Sequence, residues 1–170
     1  MENLIEKLCI NFATFFNLKV REIYRRDNNK YLTRYYIFRK PFKWMPSIYL
    51  HCFHDSDEDY ELHNHDWKRS VSFILSGSYL EERLNSNNEV TTRILKPGNI
   101  NYIRDKDFHR IELKTKRVWT LFISGSKSKA KGWGFKDRHT LKYTPWQQHV
   151  SSSKIGKTTF LARTDHVHAI

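Results

Sequence analysis

The segment Glu61-Leu62-His63-Asn64-His65-Asp66-Trp67 holds the densest chemistry in the chain. On a β-strand, side chains two residues apart leave from one face, so the imidazoles of His63 and His65 can converge on one cation. Imidazole suits zinc, iron, nickel or copper, so the ligand type does not choose the metal. A third ligand must come from another strand. His109 is the best candidate, in Asp107-Phe108-His109-Arg110-Ile111-Glu112-Leu113, far enough along the chain for two hairpins to bring it back. The competing role for His63 and His65 is to satisfy hydrogen bonds in a polar loop. Nine histidines make a chance pair unsurprising, and His166 and His168 near the C-terminus read as one.

Other groups stand near this centre in the pattern. Glu81 and Tyr79 share one strand face, so Glu81 is either a ligand or general base inside a barrel, or a solvated acid paired with Arg83. His51 shares a face with Phe53 and is a pocket residue or a group that orients a ligand from behind. Asp66 and Trp67 adjoin the pair directly. Asp57 and Asp59 could hold a cation, but belong to an acidic stretch, Asp55 to Glu61, that reads as a solvated turn. The tryptophans and Tyr35, Tyr36 and Tyr49 are most simply core and rim residues, with stacking on bases of a single strand as the alternative near Arg34, Arg39, Lys40 and Lys43. Lys127, Lys129, Lys131, Lys136 and Arg138 form the sharpest basic cluster, a mobile loop or a phosphate-binding lip.

These residues must be positioned by a chain of 170 residues, which favours one domain. Hydrophobic residues make up 39% and aromatics 15%, enough for a core and too much for disorder. No long uncharged apolar run suggests a membrane span. The N-terminus lacks the pattern of a secretion signal, so a cytoplasmic location is expected. Two cysteines, Cys9 and Cys52, argue against a disulfide framework or a cysteine zinc site. The formal net charge of +12 would attract nucleic acid or another anionic ligand, or simply solvate the surface.

Apolar spacing predicts a helix over residues 3–17, with Leu4, Ile5, Leu8, Phe12, Phe15 and Phe16 on one stripe. A basic connector, Arg21 to Lys30, follows. From Tyr31 onward the pattern is β: strands are predicted at Tyr31–Phe38, Ser47–Phe53, Ser70–Leu75, Tyr79–Leu84, Val90–Leu95, Asn101–Arg104, Arg110–Leu113 and Val118–Ile123. Short strands at close spacing predict an all-β antiparallel barrel or jelly roll. A short helix is expected from Pro145. The division is an N-terminal helix and connector (1–30), a barrel (31–145) and an irregular tail (146–170).

The order of these parts resembles the cupin superfamily over about residues 47 to 125. His63-Asn64-His65 followed by Ser76-Gly77-Ser78 is similar to the first cupin motif, and Lys96-Pro97-Gly98-Asn99 leading to His109 to the second. A narrower resemblance, from about Tyr31 to Phe135, is to an uncharacterised cupin-like group of phages, bacteria and large viruses. It rests on Leu50-His51-Cys52-Phe53, Ser56-Asp57-Glu58-Asp59, the His63–Trp67 segment, Trp119-Thr120-Leu121-Phe122 and Trp133-Gly134-Phe135. The resemblance implies a double-stranded β-helix with the N-terminal helix packed outside. The motif's carboxylate would fall near Arg69 or Ser70, and neither can serve. That departure leaves three histidines, with Glu81 or His51 as a fourth group.

Similarity to three-histidine cupins implies one divalent transition metal, with Fe(II) favoured and Zn or Ni compatible, and an oxygenase acting on a small-molecule substrate or modified residue. A 2-oxoglutarate oxygenase would instead need two histidines and a carboxylate, plus a basic residue such as Arg110 or Arg117. A non-catalytic cupin-shaped module could use the basic surface for nucleic acid or another anion. A sugar-nucleotide isomerase or epimerase would need an acid/base group such as Tyr79 or Tyr102. Cupins commonly pair, so a homodimer is also compatible with the resemblance.

Overall fold

The computed structural model describes residues 4–25, 27–38, 45–128 and 132–152. Helix α1 (Leu4–Phe15) leads into β1 (Lys19–Tyr24), β2 (Lys30–Phe38) and β3 (Ser47–Phe53). Then come β4 (Leu62–His63), β5 (Arg69–Ser76), β6 (Tyr79–Leu84), β7 (Val90–Leu95), β8 (Ile100–Arg104), β9 (His109–Leu113) and β10 (Val118–Ser124). The short strands β11 (Gly134–Lys136) and β12 (Tyr143–Pro145) and helix α2 (Trp146–Ser152) close the described chain. Two antiparallel sheets result, ordered β1-β2-β3-β10-β5-β8 and β12-β11-β4-β9-β6-β7. Strands adjacent in sequence alternate between the sheets from β3 to β6 and from β8 to β10, which is the winding of a jelly roll.

Directly paired residues share a face, so the register shows what points inward. Across β2, β3 and β10 three rows cross the inner wall: Leu32-Phe53-Val118, Arg34-His51-Thr120 and Tyr36-Tyr49-Phe122. Phe53 and Val118 of the first row belong to an apolar cluster with Ile74, Tyr79, Leu95 and Ile111, which plugs one end of the barrel. The third joins Ile103 and Trp67 toward the other end. The outer face of the same sheet carries Leu50, Cys52 and Trp119, covered by Cys9 and Ile10 of α1. Burial pushes the Cys52 thiol up to about 12, so it packs as a small apolar group.

The β5–β6 turn demands glycine. Gly77 has φ +75, and a Cβ there would stand 2.1 Å from the carbonyl oxygen of Arg117.

The eight strands expected from the sequence all form, most within one residue of their expected ends. Strands β1, β4, β11 and β12 were not expected. Lys19–Tyr24 is an edge strand pairing only with β2, and its outer positions are occupied by charged side chains that disguise the alternation. Part of the expected basic connector is therefore sheet. The stripe on α1 is a second difference. Cys9 and Ala13 are its buried residues, whereas Phe15 is 83% exposed and Leu4, Leu8, Phe12 and Phe16 also face outward. Leu8, Phe12, Phe15 and Phe16 instead line an open apolar groove with Ile37, Leu50, Leu75 and Leu121 of the sheet.

This placement has a direct consequence for stability. Leu50→Ala is expected to cost about 2–5 kcal/mol as a buried truncation, and Phe15→Ser less than about 0.5 kcal/mol. Urea denaturation of the two variants checks this, and equal losses would place the large α1 side chains in the core.

Candidate metal centre

His63 ends β4, which pairs on one side with β9 through His63↔His109 and on the other with β11 through Phe135. Pairing opposite one another puts His63 and His109 on the same inner face. His65 lies past the end of β4, where Asn64 turns the chain. The Asn64 side chain donates to the Asp105 carbonyl and accepts from the Gly134 amide, fixing that turn. Thus the two-residue spacing brings the imidazoles together, although only the first stands on a strand.

The three ring centroids form a nearly equilateral triangle, 5.0 Å from His63 to His65, 5.0 Å from His63 to His109 and 5.1 Å from His65 to His109. One nitrogen of each ring lies within 4.8 Å of the others. The Nε2 atoms of His65 and His109 are 2.9 Å apart. Two nitrogens bound to one ion at about 2.1 Å and roughly a right angle would stand about 3 Å apart. The donor set and spacing therefore fit a transition-metal ion.

Glu81 on β6 holds the centre from behind. It is fully buried, and its Oε1 accepts from His109 Nδ1 at 2.8 Å. That bond keeps the Nδ1 proton in place and turns the Nε2 lone pair toward the cluster. Arg83 donates to Oε1 at 2.8 Å, Arg93 to Oε2 at 2.7 Å and Asn101 Nδ2 to Oε1 at 2.8 Å. Burial alone would raise this carboxyl. The bond and charge of His109, the Arg83 charge and the Asn101 bond outweigh it, holding Glu81 well below the usual carboxylate range. Burial lowers His63, while burial and the neighbouring His63 and His109 charges push His65 well down. Both rings therefore stay neutral at pH 7, the state that binds a metal. Trp67 stacks on His65 at 5.6 Å.

Other expected site residues are distributed differently. Tyr79 is buried in the apolar plug, its hydroxyl accepting from Asn101 Nδ2 at 3.1 Å. His51 is buried on the opposite inner wall, stacked on Phe122 at 5.0 Å. Asp66 faces away and pairs with Lys127 at 2.7 Å. Arg110, expected among the catalytic groups, projects from the outer face of β9 because the inner face takes His109 and Ile111. There it donates to the Asp59 carbonyl at 2.8 Å and to Glu82 at 3.2 Å. Tyr102 is 44% exposed on the outside of β8. Ser70, near the motif's carboxylate position, is buried and bonds the Ile103 carbonyl, while Arg69 is exposed.

In the basic cluster, Arg138 pairs with Glu82 at 3.0 Å and Lys136 lies over the Phe108 ring at 4.6 Å. Lys129, Lys131, Arg39, Lys40, Lys43, His166 and His168 lie outside the described residues. Asp59, Glu61 and His149 form a second group whose ligand atoms lie within 4.8 Å of one another. His149 stacks on Phe135, which separates it from His63. Its sequence signal was poor because His149 lies on α2, distant in the chain from the acidic segment.

The architecture and the inward histidines define a two-sheet jelly roll around a three-histidine cluster. No protein-family model matches the sequence, and no curated protein is detectably similar to it. Solved structures are similar. The Fe(II) form of HppE in complex with substrate superposes with a TM-score of 0.51 at 12% identity, covering 64% of this chain and 57% of that one. A cupin superfamily protein from Desulfitobacterium hafniense gives 0.44 at 16% identity, covering 56% and 78%. Oxalate decarboxylase from Bacillus subtilis, described with Mn(II) centres, gives 0.47 at 18%, covering 60% and 28%. The chain thus spans little more than half the length of HppE. Among the described residues, no helix is long and apolar enough to cross a membrane.

Two outcomes follow from this geometry. Glu81→Ala leaves two guanidiniums facing a buried void and is expected to cost about 3–5 kcal/mol in chemical denaturation; a loss below about 1 kcal/mol would show the network to be slack. On the outer face, the hydrogen bond from Arg138 lowers the Glu82 carboxyl, despite partial burial. Its stabilisation is therefore full above the unfolded value, about 4.3, and lost as pH falls through the lower folded value. Glu82→Gln should narrow the stability gap to wild type progressively below about pH 4, and parallel curves for the two proteins across the acid range would refute the assignment.

Proposed function

We propose that the protein binds one divalent transition metal through His63, His65 and His109 and acts as an Fe(II)-type oxygenase on a small molecule in the cytoplasm. The convergence of three imidazoles, with Glu81 bonded to Nδ1 of one, is the observation that carries this reading. Iron held there would supply the electrons for dioxygen chemistry, with coordination positions left for reactants. The chain's own residues do the rest. Glu81 holds the proton on His109 Nδ1, so His109 presents Nε2. Trp67 covers one flank of His65 and limits water there. The apolar cluster of Ile74, Leu95, Ile111 and Val118 keeps water from one end of the barrel interior.

Elemental analysis of the purified protein beside a His63→Ala/His65→Ala double variant tests the proposal. About one iron per chain is expected after anaerobic reconstitution with ferrous ion, falling below about a tenth in the variant. Absence of stoichiometric metal in wild type after reconstitution with iron, nickel or zinc would sink it. Zinc binding in preference to iron would redirect the chemistry to water activation or carbonyl polarisation.

A further inference from the structure

The middle row of the inner wall, Arg34-His51-Thr120, is polar between two rows of apolar and aromatic side chains. Arg34 reaches inward from β2, donates from Nε to His51 Nε2 at 2.9 Å and lies 5.0 Å from the Tyr49 ring centroid. It also bonds the Tyr36 hydroxyl. No carboxylate pairs with it among the described residues, in contrast to Arg83, which is matched by Glu81. A guanidinium taken out of water is ordinarily balanced by an anion. In the same row Thr120 is fully buried, and its hydroxyl has no hydrogen-bond partner. An unbalanced cation and an unmatched hydroxyl therefore face the interior together, flanking His51.

This row adjoins the histidine cluster. Ring contacts run from His51 to Phe122 at 5.0 Å, from Phe122 to Trp67 at 5.4 Å and from Trp67 to His65 at 5.6 Å. The Arg34 charge is felt at His65 and helps to lower it.

We propose that Arg34 and Thr120 form an oxyanion seat, so that the molecule acted on carries a carboxylate or phosphate group. This rests on the metal-centre reading for its catalytic meaning, though the seat is part of the apo chain. Nε is engaged by His51 and one Nη–H by the Tyr36 hydroxyl, so the remaining Nη–H groups are the ones that grip the anion. The Thr120 hydroxyl is free to donate to the same group. His51 is then a positioning residue that aims the guanidinium. Burial and the adjacent Arg34 charge keep it neutral, able to accept the Nε proton.

The test is an NMR titration of isotope-labelled, metal-free protein with acetate and, separately, inorganic phosphate, ionic strength being held constant with chloride. Saturable shifts at Thr120 and Arg34 Nε are expected with at least one anion, and the tighter of the two identifies the group. Arg34→Lys keeps the charge but loses the Nη–H groups and should weaken binding about tenfold or more, whereas Lys96→Gln on an exposed turn should leave it unchanged. The His63→Ala/His65→Ala variant should retain the anion titration, which separates this seat from the metal centre. No saturable shift with either anion, or undiminished affinity in Arg34→Lys, overturns the proposal even if the protein binds iron. Anion binding without iron binding upholds the seat and removes the oxygenase.

Discussion

Glu81 is the constraint on which the arrangement of the barrel interior depends. Its carboxylate is fully buried, and a buried charge is tolerated only when its lone pairs are filled by good donors. The donors come from four strands: Arg83 beside it on β6, Arg93 on β7, Asn101 on β8 and His109 on β9. β8 belongs to the other sheet, so one carboxylate ties the two sheets together. The same bonds that satisfy Glu81 fix the orientation of His109. Stability and site geometry are therefore not separable here, because loosening the network also frees the imidazole that must face its two partners.

Around that constraint the interior is layered. An apolar plug at one end excludes water, and the Tyr49-Ile103-Phe122 cluster lines the wall toward the other. Between them run Arg34, His51 and Thr120 on one wall, facing the histidines and Glu81 on the other. Jelly-roll winding makes this economical. Each strand contributes one inward residue to each layer, so a polar layer one residue deep can lie between apolar ones without interrupting either sheet. The outer faces are built from separate interactions, α1 over one sheet and the Arg110-Glu82-Arg138 cluster on the other.

Much of this was legible in the sequence. Val118–Ser124 and Ser47–Phe53 announce themselves because they are short runs rich in β-branched and aromatic residues, and the two-residue spacing of His63 and His65 survives even where the strand does not. β4 and β11 were hidden because two or three residues carry no periodicity, and their pairing is set by Asn64 and Gly134 instead. The α1 stripe misled because hydrophobicity identifies an arc, whereas the fold buries only Cys9 and Ala13 of it and leaves the large side chains along an open groove. Arg110 misled for a simpler reason. Its neighbour His109 already occupies the inner face, and adjacent strand residues cannot both point inward. Arg34 was named only among residues that could stack on bases. Its distinguishing property, the lack of a carboxylate partner among the described residues, belongs to the folded neighbourhood and not to the chain.

The position of the acid explains the electrostatic character of the interior. A carboxylate among the ligands would offset metal charge directly. Here Glu81 sits one step back, its charge already shared with Arg83 and Arg93. Imidazoles carry no negative charge to balance a divalent ion, and Arg34 adds a further positive charge on the facing wall. A metal in this barrel would raise an existing surplus of positive charge. The low-dielectric walls would keep that surplus from being screened, so binding an anion becomes more favourable once the metal is in place, and by reciprocity the anion favours the metal. With no carboxylate among the three clustered histidines, the task of neutralising a bound metal would pass from the protein to whatever enters the barrel.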